Sequence, residues 1–331
     1  MSTKKILKYG NENVPTINDN ISSKFEAYET YSRKKIDEKL QSAGGGITTA
    51  SGYDWSDKLV VFEGESITMN GTMKYPEYVQ EKTGCSIQKI GIAGVPIMGS
   101  YVGKAWDFRR RISNIPANVD AVIILGDCNN ISTGDGSMND LYSKDTAKWA
   151  GRWNLALEAI KKSFPTVPIL LVSVYPMKGK DSNNKNVPIA FETFAKQNGC
   201  IYVCLSSECP LDLRYAYPVY GLTATDGVHT NHNGMKIFAN TIINRLKNVE
   251  PPVFTGTDTI TIDETTTCIV GSTVDIGYTI TGDLSIQWTS DNMDVACVMG
   301  GKVYGMTTGT ATITATTRNG NVATCTVTVT E

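Results

Sequence analysis

Residues Ala121-Val122-Ile123-Ile124-Leu125 form an unbroken apolar run that stops at Gly126 and gives way to Asp127-Cys128-Asn129-Asn130. A strand with one wet face alternates apolar and polar side chains, whereas a strand covered on both faces is apolar throughout. Five residues are too few for an ordinary helix, and Val and Ile fit the pleat. The run therefore reads as a buried strand of a parallel sheet. Leu59-Val60-Val61-Phe62 before Gly64, Ile169-Leu170-Leu171-Val172-Ser173-Val174 and Cys200-Ile201-Tyr202-Val203 repeat the pattern. A further strand is expected near Ile87–Ile90, ahead of Gly91-Ile92-Ala93-Gly94-Val95.

Helical periodicity fills the gaps. Trp149, Trp153, Ala156 and Ile160 share one helix face, and so do Phe238, Ile242 and Leu246. Strands alternating with amphipathic helices predict an α/β fold, a three-layer α/β/α sandwich around a mainly parallel sheet. Ligands of such sheets bind beyond the C-terminal ends of the strands, where this sequence places its polar clusters.

The rest of the chain differs in composition. Residues 1–46 carry 8 Lys/Arg against 6 Asp/Glu and end in Gly44-Gly45-Gly46, a linker signal. Apolar residues Ile17, Ile21, Phe25, Tyr28, Ile36 and Leu40 place one stripe on a helix. So short a helix is marginal alone, so the arm either folds back on its neighbour or serves docking or self-association. Residues 47–250 are the sheet domain. Residues 251–331 open with Pro251-Pro252 and hold 22 Thr but only 2 Lys/Arg against 8 Asp/Glu. There, Ala311, Ile313 and Ala315 alternate with threonines, as do Ala323, Cys325, Val327 and Val329. Period-2 alternation around Asn319-Gly320 predicts a hairpin in an all-β sandwich.

Composition excludes several functions. A formal net charge of -2 argues against a nucleic-acid binder working by bulk electrostatics. No apolar run is long enough to span a bilayer. The first residues carry lysines with no apolar stretch behind them, so a secretory signal peptide is not expected. The 8 cysteines are too few for a disulfide-dense scaffold of this length, and free thiols are expected. Cys200, Cys204 and Cys209 lack a fourth ligand at a convincing spacing, so buried thiols are expected there rather than zinc.

Imidazole chemistry is confined to the 2 histidines, His229 and His232. In Asp226-Gly227-Val228-His229 the carboxylate can accept from Nδ1–H and leave Nε2 free to take a proton. A loop aspartate beside an unrelated histidine is the alternative. His232 extends the block to Asp226-x-x-His229-x-x-His232, but no metal centre is expected without further ligands. Ser66 follows Gly64-Glu65 at a strand tip, where it can be a nucleophile or cap the next helix. Asn129 or Asn130, after the strongest apolar strand, can aim an amide at a developing oxyanion or simply shape a turn. Gly94 can offer a backbone N–H to a closely approaching ligand.

Together and in this order, these pieces resemble the SGNH hydrolases, the GDSL-like esterase/lipase superfamily, over about residues 57–248. Gly64-Glu65-Ser66 is similar to the first block, with Glu65 where Asp is usual, and Gly94 to the glycine of the second. Asp226-Gly227-Val228-His229-Thr230-Asn231 is similar to the fifth. The third block departs from the usual G-x-N-D at Cys128. One inserted residue brings Asn129 into register, and Asn130 is the alternative. The resemblance implies Ser66 as nucleophile, His229 as general base and Asp226 as its orienting partner. It also implies an oxyanion hole from Ser66, Gly94 and Asn129, with no cofactor. Trp288-Thr289-Ser290-Asp291-Asn292, Gly301–Gly305 and Gly309–Ala315 resemble the bacterial Ig-like group 2 module, which implies a cell-surface or phage setting.

The expected function is a serine esterase removing acetyl groups from a surface glycan. Tyr175, Tyr215, Tyr217 and Tyr220 are candidate platforms for sugar rings. A virion role is expected to reconcile an Ig-like module with the missing signal peptide, the arm then joining copies of the chain or other virion proteins. Two alternatives are a glycan-binding protein without turnover and an exported bacterial carbohydrate esterase.

Overall fold

The computed structural model describes residues 8–9, 12–13, 52–69, 71, 74–99, 107–127, 129, 136–209, 211–213 and 226–331. Of the N-terminal arm it describes only an antiparallel pairing of Lys8–Tyr9 with Glu12–Asn13. The helical stripe from Ile17 to Leu40 lies outside the described residues.

Five parallel strands form the first sheet: β1 (Leu59–Gly64), β2 (Ser86–Lys89), β3 (Ala121–Gly126), β4 (Ile169–Ser173) and β5 (Ile201–Cys204). Their spatial order is β2-β1-β3-β4-β5. Strands β3 and β4 are buried at every position, as their unbroken apolar sequences require. Side chains leave successive positions on opposite faces. Val60, Phe62, Ile123 and Val172 therefore meet helices α2 (Tyr75–Thr83) and α7 (His232–Lys247) through Tyr75, Phe238 and Ile242. Val61, Val122, Ile124 and Leu171 meet α3 (Phe108–Ile112), α4 (Trp149–Ser163) and α5 (Asp181–Asn198) through Phe108, Trp153 and Phe191. This is the three-layer α/β/α sandwich read from the sequence. The chain leaves β1 toward β2 and returns to the other side of β1 to form β3. In an open α/β sheet, such a reversal opens a crevice at the strand ends.

The C-terminal part is all-β. Its hairpin pairs Gly309–Thr317 with Val322–Thr330, and Gly320, at φ 84°, makes the turn. Trp288, Val303, Ile313 and Val327 fill the core between its sheets. This sandwich is packed directly on the first domain. Cys297, Met299 and Tyr304 lie in the same apolar core as α3 and α4. Among the described residues no helix is long and apolar enough to cross a membrane.

Candidate active site

The tip of β1 is built by close backbone passages. A Cβ on Gly64 would sit 1.9 Å from Thr68 Oγ1, and one on Gly91 would sit 2.3 Å from the Gly64 carbonyl oxygen. Only glycines allow the chain to turn out of β1 against the segment after β2. Ser66 then opens the short helix α1 (Ser66–Met69). Its Oγ lies 2.8 Å from His229 Nε2, so Ser66 is engaged with the imidazole.

The Asp226–His229 turn is held from both sides. Asp226 Oδ1 accepts the amides of Val228 and His229 at 2.9 Å, and Oδ2 lies 2.5 Å from His229 Nδ1. An ionised carboxylate only accepts, so Nδ1 carries the proton and Nε2 is left to accept from Ser66. Gly227, at φ 71°, permits the tight turn. Partial burial pushes the Asp226 carboxyl up, but the His229 side chain and the two amides outweigh it and hold it below its ordinary value. Lys178 N donates to Gly227 O, and Tyr175 Oη donates to Val228 O at 3.0 Å. Asn231 closes the block by accepting from the amides of Asn233 and Gly234, capping α7.

The Asn129 amide donates to the Glu65 carboxylate, at 2.9 Å to Oε2, which anchors Asn129 to the residue before Ser66. Asn129 Nδ2 is enclosed and has no hydrogen-bond partner among the described residues. Gly94 turns at φ 77°, and open space lies where its Cβ would be. Asn130 lies outside the described residues.

Sequence reading missed the supports. Arg111 is a buried cation that donates to Glu63, to Gly64 O at 2.8 Å and to Pro96 O at 3.1 Å. Burial pushes the Glu63 carboxyl up, to about 7, against the opposing pull of Arg111. Nothing in the sequence distinguishes the three arginines of Arg109-Arg110-Arg111, and only burial separates the third from the first two. Tyr175 is corrected. It is fully buried against Phe238 and holds the His229 turn, so its ring offers no face to a sugar. Tyr215, Tyr217 and Tyr220 lie outside the described residues. His232 is an exposed first residue of α7, and among the described residues no group of three or more metal-ligating side chains occurs.

Residues 257–327 match the family model described as bacterial Ig-like domain (group 2). No curated protein matches the chain. Among solved structures, a protein from Lactobacillus plantarum is 19% identical over 58% of this chain and 97% of its own, with a TM-score of 0.50. An acetyl xylan esterase is 18% identical over 57% of this chain and 99% of its own, with a TM-score of 0.41. A carbohydrate acetylesterase from Sinorhizobium meliloti is 12% identical over 57% and 98%, also with a TM-score of 0.41. At these identities the likeness is one of fold.

Proposed function

We propose that the chain is a serine ester hydrolase that removes O-acetyl groups from a surface glycan. The observation that carries this reading is the Asp226–His229–Ser66 relay, assembled at hydrogen-bonding distance from two distant parts of the sequence. Ser66 Oγ attacks the acyl carbon while His229 Nε2 takes its proton, and Asp226 stabilises the imidazolium that forms. The amides of Ser66 and Gly94 and the side chain of Asn129 receive the oxyanion. The unpartnered Nδ2 of Asn129 supports that role, since a donor kept idle in the resting protein is free for a charge that appears only during reaction. Collapse of the tetrahedral adduct returns the proton from His229 to the departing sugar oxygen. Water, deprotonated by the same imidazole, then releases acetate and restores Ser66.

Exposure supports the substrate class. The side chains of Asp226 and His229 are 46% and 24% exposed, so the relay sits at the surface. An open site suits a small acyl group on a bulky, hydrated polymer. A binding role without turnover would not need a base aligned on Ser66.

In this reading the Ig-like module and the N-terminal arm place the enzyme at a host surface, with the arm joining copies of the chain or other virion proteins. The test of the activity is release of acetate from a panel of acetylated polysaccharides, with Ser66→Ala as control. Equal release by the two proteins would overturn it. Finding the chain by mass spectrometry in purified virions tests the setting.

A further inference from the structure

Helix α3 presents its arginines to two different bodies. Arg109 is clamped by Asp107 and lies over the Tyr304 ring of the Ig-like module, 5.7 Å from its centroid. Arg110 donates to Met293 O and Asp294 of the module. At the end of the helix, Gln287 of the module donates to Ser113 O at 2.9 Å. Arg111 points the other way. It bridges Gly64 O, at the turn into Ser66, and Pro96 O, two residues beyond Gly94. The Ile92 amide also donates to Gly64 O, so both segments meet at one carbonyl.

We propose that α3 makes the Ig-like module a fixed part of the esterase site, with Arg111 as the positioning residue that holds the Ser66 and Gly94 backbone segments in register. The proposal rests on the esterase reading for its catalytic consequence. The physical coupling stands apart from it. Docking the module fixes α3 through the Arg110 and Gln287 hydrogen bonds, which set its orientation over an apolar contact with Met299, Cys297 and Tyr304. A fixed α3 holds the guanidinium fork, whose planar donors span three acceptors that a lysine ammonium cannot hold in the same geometry. The two backbone segments that Arg111 joins are those that offer the oxyanion amides. Their spacing matters because displacements of about 1 Å can cost about 100-fold in rate.

The test uses the full chain. Arg110→Ala combined with Gln287→Ala removes the module's polar ties to α3 without touching Arg111. Amide hydrogen exchange of the substrate-free protein is followed over residues 90–99, with β4 and β5 as internal reference. Faster exchange in 90–99 alone is expected, together with a kcat on a small acetate ester lower by about 10-fold or more and a nearly unchanged KM. Arg111→Lys is expected to lower kcat by about 100-fold. In that background the Arg110/Gln287 pair should cost little more, because both act through one element. Val322→Ser, an exposed change on the C-terminal hairpin, serves as the neutral control. Exchange at the wild-type rate in 90–99, or kcat losses that simply multiply, would overturn the proposal. If Arg111→Lys does not fold, the exchange measurement still decides. If Ser66→Ala kept full activity, the esterase reading would fall while the exchange result still judged the coupling.

Discussion

His229 Nε2 and Ser66 Oγ lie 2.8 Å apart although 163 positions separate them in the chain. In the proposed mechanism this contact sets the direction of proton transfer, because Asp226 holds the opposite ring nitrogen. Ser66→Ala and His229→Gln are each expected to lower kcat on an acetate ester by about 10³-fold or more, and the double variant by little beyond either single one, since the pair acts as a unit. Steady-state kinetics on the three proteins checks this. Fully multiplicative losses would mean that the two residues act independently.

Asp226 gives the relay a pH signature in stability. Its carboxyl is held below the ordinary 3.8 in the folded protein. A carboxyl depressed by folding adds stability above its unfolded value, and that contribution disappears as pH falls through the folded value. Urea denaturation of wild type and Asp226→Asn should therefore differ at neutral pH, and the gap should close as pH falls below 3.8 and through the lowered folded value. A gap that persisted there would assign the difference to packing rather than charge. Activity at pH 7 should fall by about 10²-fold or more, because the neutral amide no longer fixes the imidazole tautomer.

Asn129 should separate activity from stability. Among the described residues its Nδ2 is enclosed without a partner, an arrangement that costs a folded protein about 1–3 kcal/mol. Asn129→Ala removes that group, so the thermal midpoint is expected to stay level or rise. Meanwhile kcat is expected to fall by about 10²–10³-fold with KM little changed. A lowered midpoint with unchanged kcat would make Asn129 a turn residue only. Glu65→Gln tests the same donor indirectly, since the Glu65 carboxylate accepts the Asn129 amide. It should lower kcat in the wild-type background and do little in Asn129→Ala.

The sheet was legible because burial on both faces leaves runs such as 121–125 with no polar interruption. The threonine alternation of the C-terminal hairpin was legible for the opposite reason, one face being wet. The relay was half legible. Asp226-x-x-His229 announces its own turn chemistry, but its meeting with Ser66 is a tertiary fact that no local pattern contains. Tyr175 was misjudged because a tyrosine's place depends on which side of β4 its residue leaves, and the ring packs inward on Phe238. Arg111 was invisible. A charged triplet on a five-residue helix gives no periodic signal, and its value comes from two carbonyls on other segments.

The seam between the domains turns on Arg318. It donates to Val119 O at 2.9 Å and to Asp120 Oδ1 at 2.7 Å, and its guanidinium lies 3.4 Å from the Phe254 ring centroid. Asp120 is itself buried and accepts the Leu59 amide, so it pins the start of β1 and receives the module at once. Removing the cation leaves that carboxylate enclosed with one amide as its remaining partner among the described residues. Arg318→Ala is therefore expected to destabilise the chain by about 3 kcal/mol, near the lower end for a buried pair because the guanidinium is partly exposed. The shared core predicts that wild type unfolds in one cooperative urea transition, with both domains lost together. Arg318→Ala should shift that transition or split off the module first. Pairing Arg318→Met with Asp120→Asn, which removes both charges, should recover part of the loss. A variant as stable as wild type would mean that the apolar contact alone carries the seam.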